Sequence, residues 1–240
     1  QVFGVPLVTT LHSGGAVFSP QASGDIFEQI KADLIKESDL VICVSNWLET
    51  KIKESYSVSG DIKTIYNGVN SVTTSPPTES DKKVILFAGR LVPEKGVDTL
   101  LKALSMLIGE FDVKVQIAGD GFQRAQLEQS SRDLNLDETH VEFLGFVEPE
   151  LMSDLYSEAS VVVVPSLYEP FGLVALEAMA HERPVIASSV GGLVEFIDDG
   201  TNGHLVPPGD AEALAQALRQ LLGDPLQASR IAAEGKRTSL

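Results

Sequence analysis

The chain has 240 residues, of which 43% are hydrophobic, so it can bury the core of one large domain or two modest ones. Its formal net charge of −16 at pH 7 argues against nucleic acid or an anionic membrane as a partner, because both attract basic surfaces. No apolar run approaches the roughly 18 residues of a transmembrane segment and no signal peptide is visible, so we expect a cytoplasmic protein.

The single cysteine and the first residue add two expectations. Because Cys43 is the single cysteine, a disulfide within the chain is excluded. Its position in an apolar run at 40–44 predicts a buried, unreactive thiol. The chain begins with Gln1 rather than methionine and reaches a predicted strand almost at once, so we expect a fragment of a longer enzyme.

The pattern of residues 1–70 predicts about half of a domain. The spacing of apolar residues predicts strands at 5–11, 40–44 and 62–66, and helices at 25–37 and from about 45 to 54. Ser45 and Asn46 suit the start of the second helix. His12 follows the first strand at its carboxyl end, which is the ligand-facing edge of a parallel sheet, although a loop histidine bonded to backbone is an alternative.

Residues 71–83 contain almost nothing to bury and are interpreted as a linker. From 84 to 240 strands and helices alternate, which predicts a second, α/β domain with a doubly wound, Rossmann-like parallel sheet. The predicted strands are 84–88, 113–118, 141–144, 161–164, 185–188 and 204–206, and the predicted helices are 97–108, 123–134, 150–159, 172–181, 193–197 and 211–222.

The strand at 161–164 and the helix after it predict a binding site. Four consecutive valines indicate a strand buried on both faces. After Glu169 and Pro170, a helix begins at Gly172, and a helix start at this edge directs backbone N–H groups towards an anion such as phosphate. Glu177 lies about 7.5 Å further along the helix, at ~1.5 Å per residue, where a carboxylate could accept hydrogen bonds from a sugar diol.

Two cations follow the first predicted strand of the second domain, and a glycine turn follows its second strand. Arg90 and Lys95 share one short loop, where together they could neutralise a diphosphate, although either alone could be a solvated surface cation. Gly119 and Gly121 would let the backbone approach a ligand closely. No Gly-x-Gly-x-x-Gly run follows, so an NAD site is not indicated.

The sequence does not predict a metal site. His12, His140, His181 and His204 have no ligand spacing, and there is no Asp-x-Asp pair. A Walker loop and a Gly-x-Ser-x-Gly elbow are also absent, which disfavours NTPases and hydrolases.

Glu169 and Glu177, with seven residues between them in Glu-Pro-Phe-Gly-Leu-Val-Ala-Leu-Glu, resemble the paired-glutamate motif of retaining glycosyltransferases of family four. The preceding Pro-Ser-Leu-Tyr is especially similar to the glycogen- and sucrose-type synthases of this group. The resemblance implies the GT-B fold of two Rossmann-like domains. Residues 1–70 would then be the end of the acceptor-side domain, most of which would be missing, and residues 84–240 the domain that binds the nucleotide-sugar donor.

The resemblance also implies an activity: transfer of a hexosyl group, with retention, from a nucleotide-diphosphate sugar to a saccharide or other hydroxyl acceptor, without metal or cofactor. Arg90 and Lys95 would contact the donor phosphates, and Glu177 the ribose. Glu169 and His12 would contact the donor sugar. Further donor contacts are expected at Phe171, Gly172 and Leu173, and at Gly119 and Gly121. The backbone of Gly145 and Phe146 would contact the nucleobase, although a turn that serves only packing is an open alternative for this segment.

Two alternatives remain open. A nucleotide-sugar epimerase has the same architecture but needs an acid and a base near C2 of the sugar, for which only His12 and Glu169 are candidates. A non-catalytic nucleotide-sugar-binding module is the second alternative. The chain departs from the family pattern at His181-Glu182-Arg183-Pro184, where relatives have a glycine before Lys/Arg-Pro-Val; we expect this to alter only a helix end.

Overall fold

A computed structural model of the chain describes residues 6–12, 26–70, 72 and 82–239, with side chains in the first helix described from residue 29 onward. Most of the predicted linker lies outside the described residues. By its internal contacts the chain divides into unit 1, Gln1–Asn67 with Glu169–Phe171, and unit 2, Gly68–Tyr168 with Gly172–Leu240. Lys83, predicted to end the linker, instead begins a strand of unit 2.

Within its described residues, unit 1 contains three parallel strands in the order β1-β2-β3 and two helices: β1 (Val8–Leu11), α1 (Ile26–Glu37), β2 (Leu40–Cys43), α2 (Asn46–Ser55) and β3 (Asp61–Thr64). Strand β1 begins later than predicted, because Pro6 lacks the N–H group that a strand needs for pairing. Ser45 caps α2 as predicted, its Oγ accepting from the Leu48 N–H at 3.0 Å. The Cys43 thiol is buried as predicted, and burial raises its pKa to about 11.

Unit 2 alternates strands with helices, as predicted. Its elements are β4 (Lys83–Ala88), α3 (Val97–Ser105), β5 (Val113–Ala118), α4 (Arg124–Asp133), β6 (Val141–Gly145), α5 (Pro149–Glu158), β7 (Val161–Val164), α6 (Leu173–Ala180), β8 (Val185–Ser188), β9 (His204–Val206), α7 (Ala211–Gly223) and α8 (Pro225–Ser239). Short 3₁₀ helices lie at Pro93–Lys95 and Gly191–Glu195.

All six strands of unit 2 are parallel, in the order β6-β5-β4-β7-β8-β9. The chain builds outward from β4 through β5 and β6, and then returns to place β7 on the other side of β4. Strand order therefore reverses between β4 and β7. In a doubly wound sheet, ligands bind at the carboxyl edge of this switch point.

The sheet is buried on both faces. Val161 and Val163 of β7 pack in a hydrophobic cluster with residues of α3, α4 and α7, whereas Val162 and Val164 pack in a second cluster with residues of α5 and α6. This two-sided burial explains why the strand has four consecutive β-branched residues rather than an alternating pattern.

Two helical predictions need correction. The segment predicted as a helix at 193–197 is a 3₁₀ helix, Gly191–Glu195, that begins earlier at a Gly-Gly pair with poor α-helical propensity. Helix α8 was not predicted, although Asp224 before Pro225 is a strong start signal: the Asp224 carboxylate accepts from the N–H groups of Leu226 and Gln227. Among the described residues, none of the helices has the length and apolar character to cross a bilayer.

Candidate functional site

The loops that follow β4 and β7 are hydrogen-bonded to each other. In the 3₁₀ helix Pro93–Lys95, the carbonyl of Glu94 accepts from the N–H groups of Leu167 at 2.8 Å and Tyr168 at 3.3 Å. Strands β4 and β7 are adjacent and parallel, so both loops leave the same edge of the sheet. The loop that carries Arg90 and Lys95 is therefore fixed beside the loop that leads towards α6.

Glycines allow the backbones of these loops to touch. Gly96 has a left-handed φ of +63°, and a Cβ at this position would lie 2.1 Å from the carbonyl oxygen of Pro165. A Cβ on Gly119 would lie 1.8 Å from the Gly89 oxygen, and one on Gly121 would lie 2.4 Å from the carbonyl oxygen of Leu91. Sequence reasoning assigned Gly119 and Gly121 to ligand approach. The structure adds a packing reason for both, and their contact with a ligand stays a prediction.

The switch-point loops combine positive charge with the start of a helix. Arg90 is exposed and forms no ion pair with any residue in the described part of the chain, and Lys95 is half-buried. Gly172 precedes α6 with a left-handed φ of +104°, and no side chain among the described residues caps this helix. The first N–H groups of an α-helix lack intrahelical partners, so these features together suit an anionic ligand.

Glu177 lies in the second turn of α6 and is half-buried. The hydroxyl of Tyr156, from α5, donates to its Oε2 at 2.7 Å. Burial first, and then the negative charge of Glu177, raise the pKa of Tyr156 well above its ordinary value, so the phenol remains a donor. Sequence reasoning missed Tyr156, because its partner lies on a different helix and no motif connects the two.

The ends of β5 and β6 are joined at the same edge. The N–H of Gly119 donates to the carbonyl of Gly145 at 2.7 Å. Phe146, the next residue, has a side chain that is 72% exposed, and the contact of its backbone with a nucleobase stays a prediction. The carboxyl edge of the unit 2 sheet, together with α6, thus carries Arg90, Lys95, Gly119, Gly121, Gly145, Phe146, Gly172, Leu173 and Glu177.

The remaining predicted residues belong to unit 1. His12 directly follows β1 and has an exposed side chain. Glu169 and Phe171 are buried. Pro170, between them, accepts a hydrogen bond from the Ser45 hydroxyl at 2.6 Å. Sequence reasoning did not identify this second role of the Ser45 cap.

The part of the chain that the structure describes contains no group of three or more His, Cys, Asp or Glu residues that could hold a metal ion. The charged groups of interest at the switch point are Arg90 and Lys95 on the loop after β4, and the carboxylate of Glu177 on α6. Together with the strand order, they define the class of the chain: a doubly wound α/β protein with cationic loops at the switch point and a carboxylate that accepts a hydroxyl hydrogen bond on the helix that follows.

Comparisons with known proteins identify the family. The model of the family "Glycosyl transferases group 1" matches residues 73–238, and that of "Glycosyltransferase Family 4" matches residues 2–72. The chain belongs to the group 1 glycosyltransferases, which confirms the resemblance seen in the sequence.

Relatives and solved structures agree. The chain is 39% identical over 203 residues to the uncharacterized glycosyltransferase MJ1607 of Methanocaldococcus jannaschii, covering 78% of this chain and 52% of the relative. It is 34% identical over 240 residues to glycogen synthase of Mycobacterium tuberculosis, covering 96% and 58%. The chain thus spans little more than half the length of these relatives.

Among solved structures, sucrose-phosphate synthase of Thermosynechococcus elongatus has a TM-score of 0.85 at 33% identity, covering 97% of this chain and 62% of that one. Anabaena Alr3699/HepE in complex with UDP and glucose has a TM-score of 0.86 at 27% identity, covering 98% and 66%. These similarities confirm the predicted GT-B fold class.

Proposed function

We propose that unit 2 binds the donor of a retaining glycosyltransferase, which transfers a hexosyl group from a nucleotide-diphosphate sugar to a saccharide or other hydroxyl acceptor without a metal ion. The observation that most supports this proposal is the structure of the switch point. The loop of Arg90 and Lys95 is hydrogen-bonded to the loop that precedes α6. Among the described residues, no side chain caps the first turn of this helix. The similar structure of Alr3699/HepE, which was solved with UDP and glucose, supports this choice of ligand class.

The diphosphate is the part of the donor that these groups fit. When the bond between the anomeric carbon and the phosphate oxygen breaks, negative charge develops on the departing nucleoside diphosphate. The Arg90 guanidinium can donate two parallel hydrogen bonds, and the Lys95 ammonium supplies a compact charge. The positive end of α6 adds a third stabilising group, so no cation other than the protein's own is required. The acceptor hydroxyl would attack the anomeric carbon from the same face that the nucleoside diphosphate leaves, so the sugar would keep its anomeric configuration.

The rest of the donor extends from this anchor. Glu177 accepts from the ribose hydroxyls, and the backbone of Gly145 and Phe146 contacts the nucleobase. Further contacts with the donor are proposed, from the family resemblance, for Gly119, Gly121, Phe171, Gly172 and Leu173. The assignment of Glu169 and His12 to the transferred sugar is carried over from the family resemblance.

Nucleotide binding tests the proposal first. Calorimetric titration of the chain with UDP, ADP and GDP should show saturable binding of at least one of them. Glu177→Ala should weaken this binding, whereas Glu169→Ala should mainly lower the rate of transfer. Glu212→Ala, at an exposed position of α7, is a matched control that should change neither. Equal and unchanged behaviour of the two glutamate variants would contradict the assigned roles.

Product analysis tests the reaction. With a labelled nucleotide-sugar and an acceptor, a retaining transferase gives a glycoside with the anomeric configuration of the donor, and a chelator leaves the rate unchanged. An altered nucleotide-sugar formed without acceptor would indicate an epimerase instead. Binding without any turnover would indicate that the chain acts as a binding module.

A further inference from the structure

We propose that Tyr156 is a positioning residue, which fixes the carboxylate of Glu177 so that the site selects a nucleotide with an intact ribose diol. The inference rests on the proposed function, because it assigns a further residue to the same donor site. Tyr156 would not touch the donor itself. It would act by holding Glu177 in one orientation before the donor arrives.

The geometry leaves the Tyr156 hydroxyl little freedom. Tyr156 is 2% exposed and belongs to the hydrophobic cluster on the α5 and α6 face of the sheet, with Ala159, Ala175, Ala178 and Met179 among its members. Its hydroxyl, at the end of this buried ring, donates to Glu177 Oε2 at 2.7 Å. A buried phenol has one proton to donate, and here the carboxylate receives it.

His181 contacts both the Tyr156 ring and the backbone of Glu177. Its ring lies against that of Tyr156, with centroids 4.8 Å apart. Its Nδ1 is 2.8 Å from the carbonyl oxygen of Glu177, which can only accept, so this nitrogen carries the proton. In this tautomer of the neutral ring, the other nitrogen, Nε2, accepts from the Ser153 hydroxyl at 3.1 Å. The histidine is therefore fixed at both nitrogens and packs against the tyrosine ring from α6.

The consequence for Glu177 is a carboxylate with one oxygen restrained and the other available. Among the residues that the structure describes, the Tyr156 hydroxyl is the group that donates a hydrogen bond to this carboxylate, and it bonds to Oε2. An ionised carboxylate has about four acceptor positions, so two vicinal hydroxyls can still be accommodated. Because the side chain is ordered beforehand, the donor need not order it on binding, which favours affinity.

A phenylalanine at position 156 removes the hydroxyl and keeps the buried ring. We compare the affinities of wild type and Tyr156→Phe for UDP and for 2′,3′-dideoxy-UDP, which lacks both hydroxyls. The variant should bind UDP about 10-fold more weakly, a typical loss for a hydrogen bond to a charged group. Its affinity for the dideoxy nucleotide should change less than about 2-fold, so the preference for ribose shrinks. A merely structural role would weaken both nucleotides alike.

Two further variants make the comparison decisive. Tyr56→Phe, in unit 1, is a matched loss of a phenol and should leave both affinities unchanged. Glu177→Gln should lower the ribose preference by itself, and adding Tyr156→Phe to it should cause no further loss. Thermal unfolding checks that each variant is folded. If Tyr156→Phe does not fold, the ribose preference of Glu177→Gln decides: its retention overturns the inference.

The outcomes separate the inference from the function on which it rests. If wild type binds UDP with a ribose preference that Tyr156→Phe leaves intact, the role of Tyr156 is refuted and the donor site is not. Equal losses for both nucleotides also refute it. If wild type does not bind UDP, ADP or GDP, the proposed function fails and the inference fails with it.

Discussion

Replacement of Gly96 by alanine is expected to disturb the switch point more than any ordinary loop substitution. Gly96 has a left-handed φ of +63°, which costs a residue with a Cβ about 1–2 kcal/mol. The new Cβ would also lie 2.1 Å from the Pro165 oxygen, and the loops must separate by the remaining 0.9 Å to reach even the 3.0 Å that real Cβ contacts respect. The two nearest atoms are the carbonyl oxygen and the carbonyl carbon of Pro165. Both belong to the backbone, so no side-chain rotation relieves the clash.

Overpacking of this kind typically costs a further ~1–3 kcal/mol, so Gly96→Ala should lower the free energy of unfolding by about 2–5 kcal/mol. The matched control is Gly109→Ala. Gly109 also has a left-handed φ, of +87°, but a Cβ there meets no atom within 4 Å, so only the conformational cost of about 1–2 kcal/mol applies.

Urea unfolding of the two variants and titration with UDP check this reasoning. Gly96→Ala should be the less stable variant and should bind UDP about tenfold more weakly or worse, because the loop of Arg90 and Lys95 is displaced; each tenfold change corresponds to about 1.4 kcal/mol. Gly109→Ala should bind like wild type. Equal losses of stability, or undiminished UDP affinity in a folded Gly96→Ala variant, would refute the idea that this glycine holds the two loops together.

Three other outcomes are expected. Arg90→Gln should weaken UDP about 10-fold or more and leave uridine unaffected, because only UDP carries the diphosphate, whereas Lys102→Gln on α3 should weaken neither; calorimetry that finds equal losses for UDP and uridine would count against a phosphate contact. Gly121→Ala should lower the free energy of unfolding by ~1–3 kcal/mol in urea, since its Cβ would lie 2.4 Å from the Leu91 oxygen; a neutral effect would show that the loop adjusts freely. The Cys43 thiol should resist a thiol reagent at pH 8 until the protein is unfolded, because burial raises its pKa to about 11; rapid reaction of the native protein would contradict this.

The strands of unit 2 could be predicted closely from the sequence because burial on both faces imposes a local requirement. A run such as Val161–Val164 has no polar face, and the predicted bounds agree with the observed ones for β5, β7, β8 and β9. The glycine and proline positions that end these strands are equally local. The edge of the sheet that we propose as the donor site followed from the parallel order alone, because every carboxyl end lies on the same side.

Features that depend on packing between elements were not predictable in this way. The close approach of Gly96 to Pro165 requires that β7 lie beside β4, which depends on strand order rather than on local pattern. The Tyr156 bond to Glu177 likewise requires α5 and α6 to share one face of the sheet. Neither relation is a spacing within one segment, so periodicity carries no signal for them.

The departure from the family pattern at 181–184 has a more specific explanation than a changed helix end. Glu182 has a left-handed φ of +56°, a conformation that glycine adopts most easily just after a helix. This agrees with the glycine that the family resemblance implies in this segment. The Lys236 ammonium lies 3.0 Å from the Glu182 carboxylate, and the preceding His181 packs on the Tyr156 ring. The segment therefore contributes to the support of Glu177 as well as to the end of α6.

A crystal structure of the chain with UDP tests the central claim most directly, namely that the switch point between β4 and β7 is the donor site. We predict that the diphosphate lies within hydrogen-bonding distance of Arg90 or Lys95 and of the N–H groups at the start of α6, with the ribose at Glu177. UDP bound at another surface of unit 2, or a diphosphate that contacts neither cation, would contradict the claim.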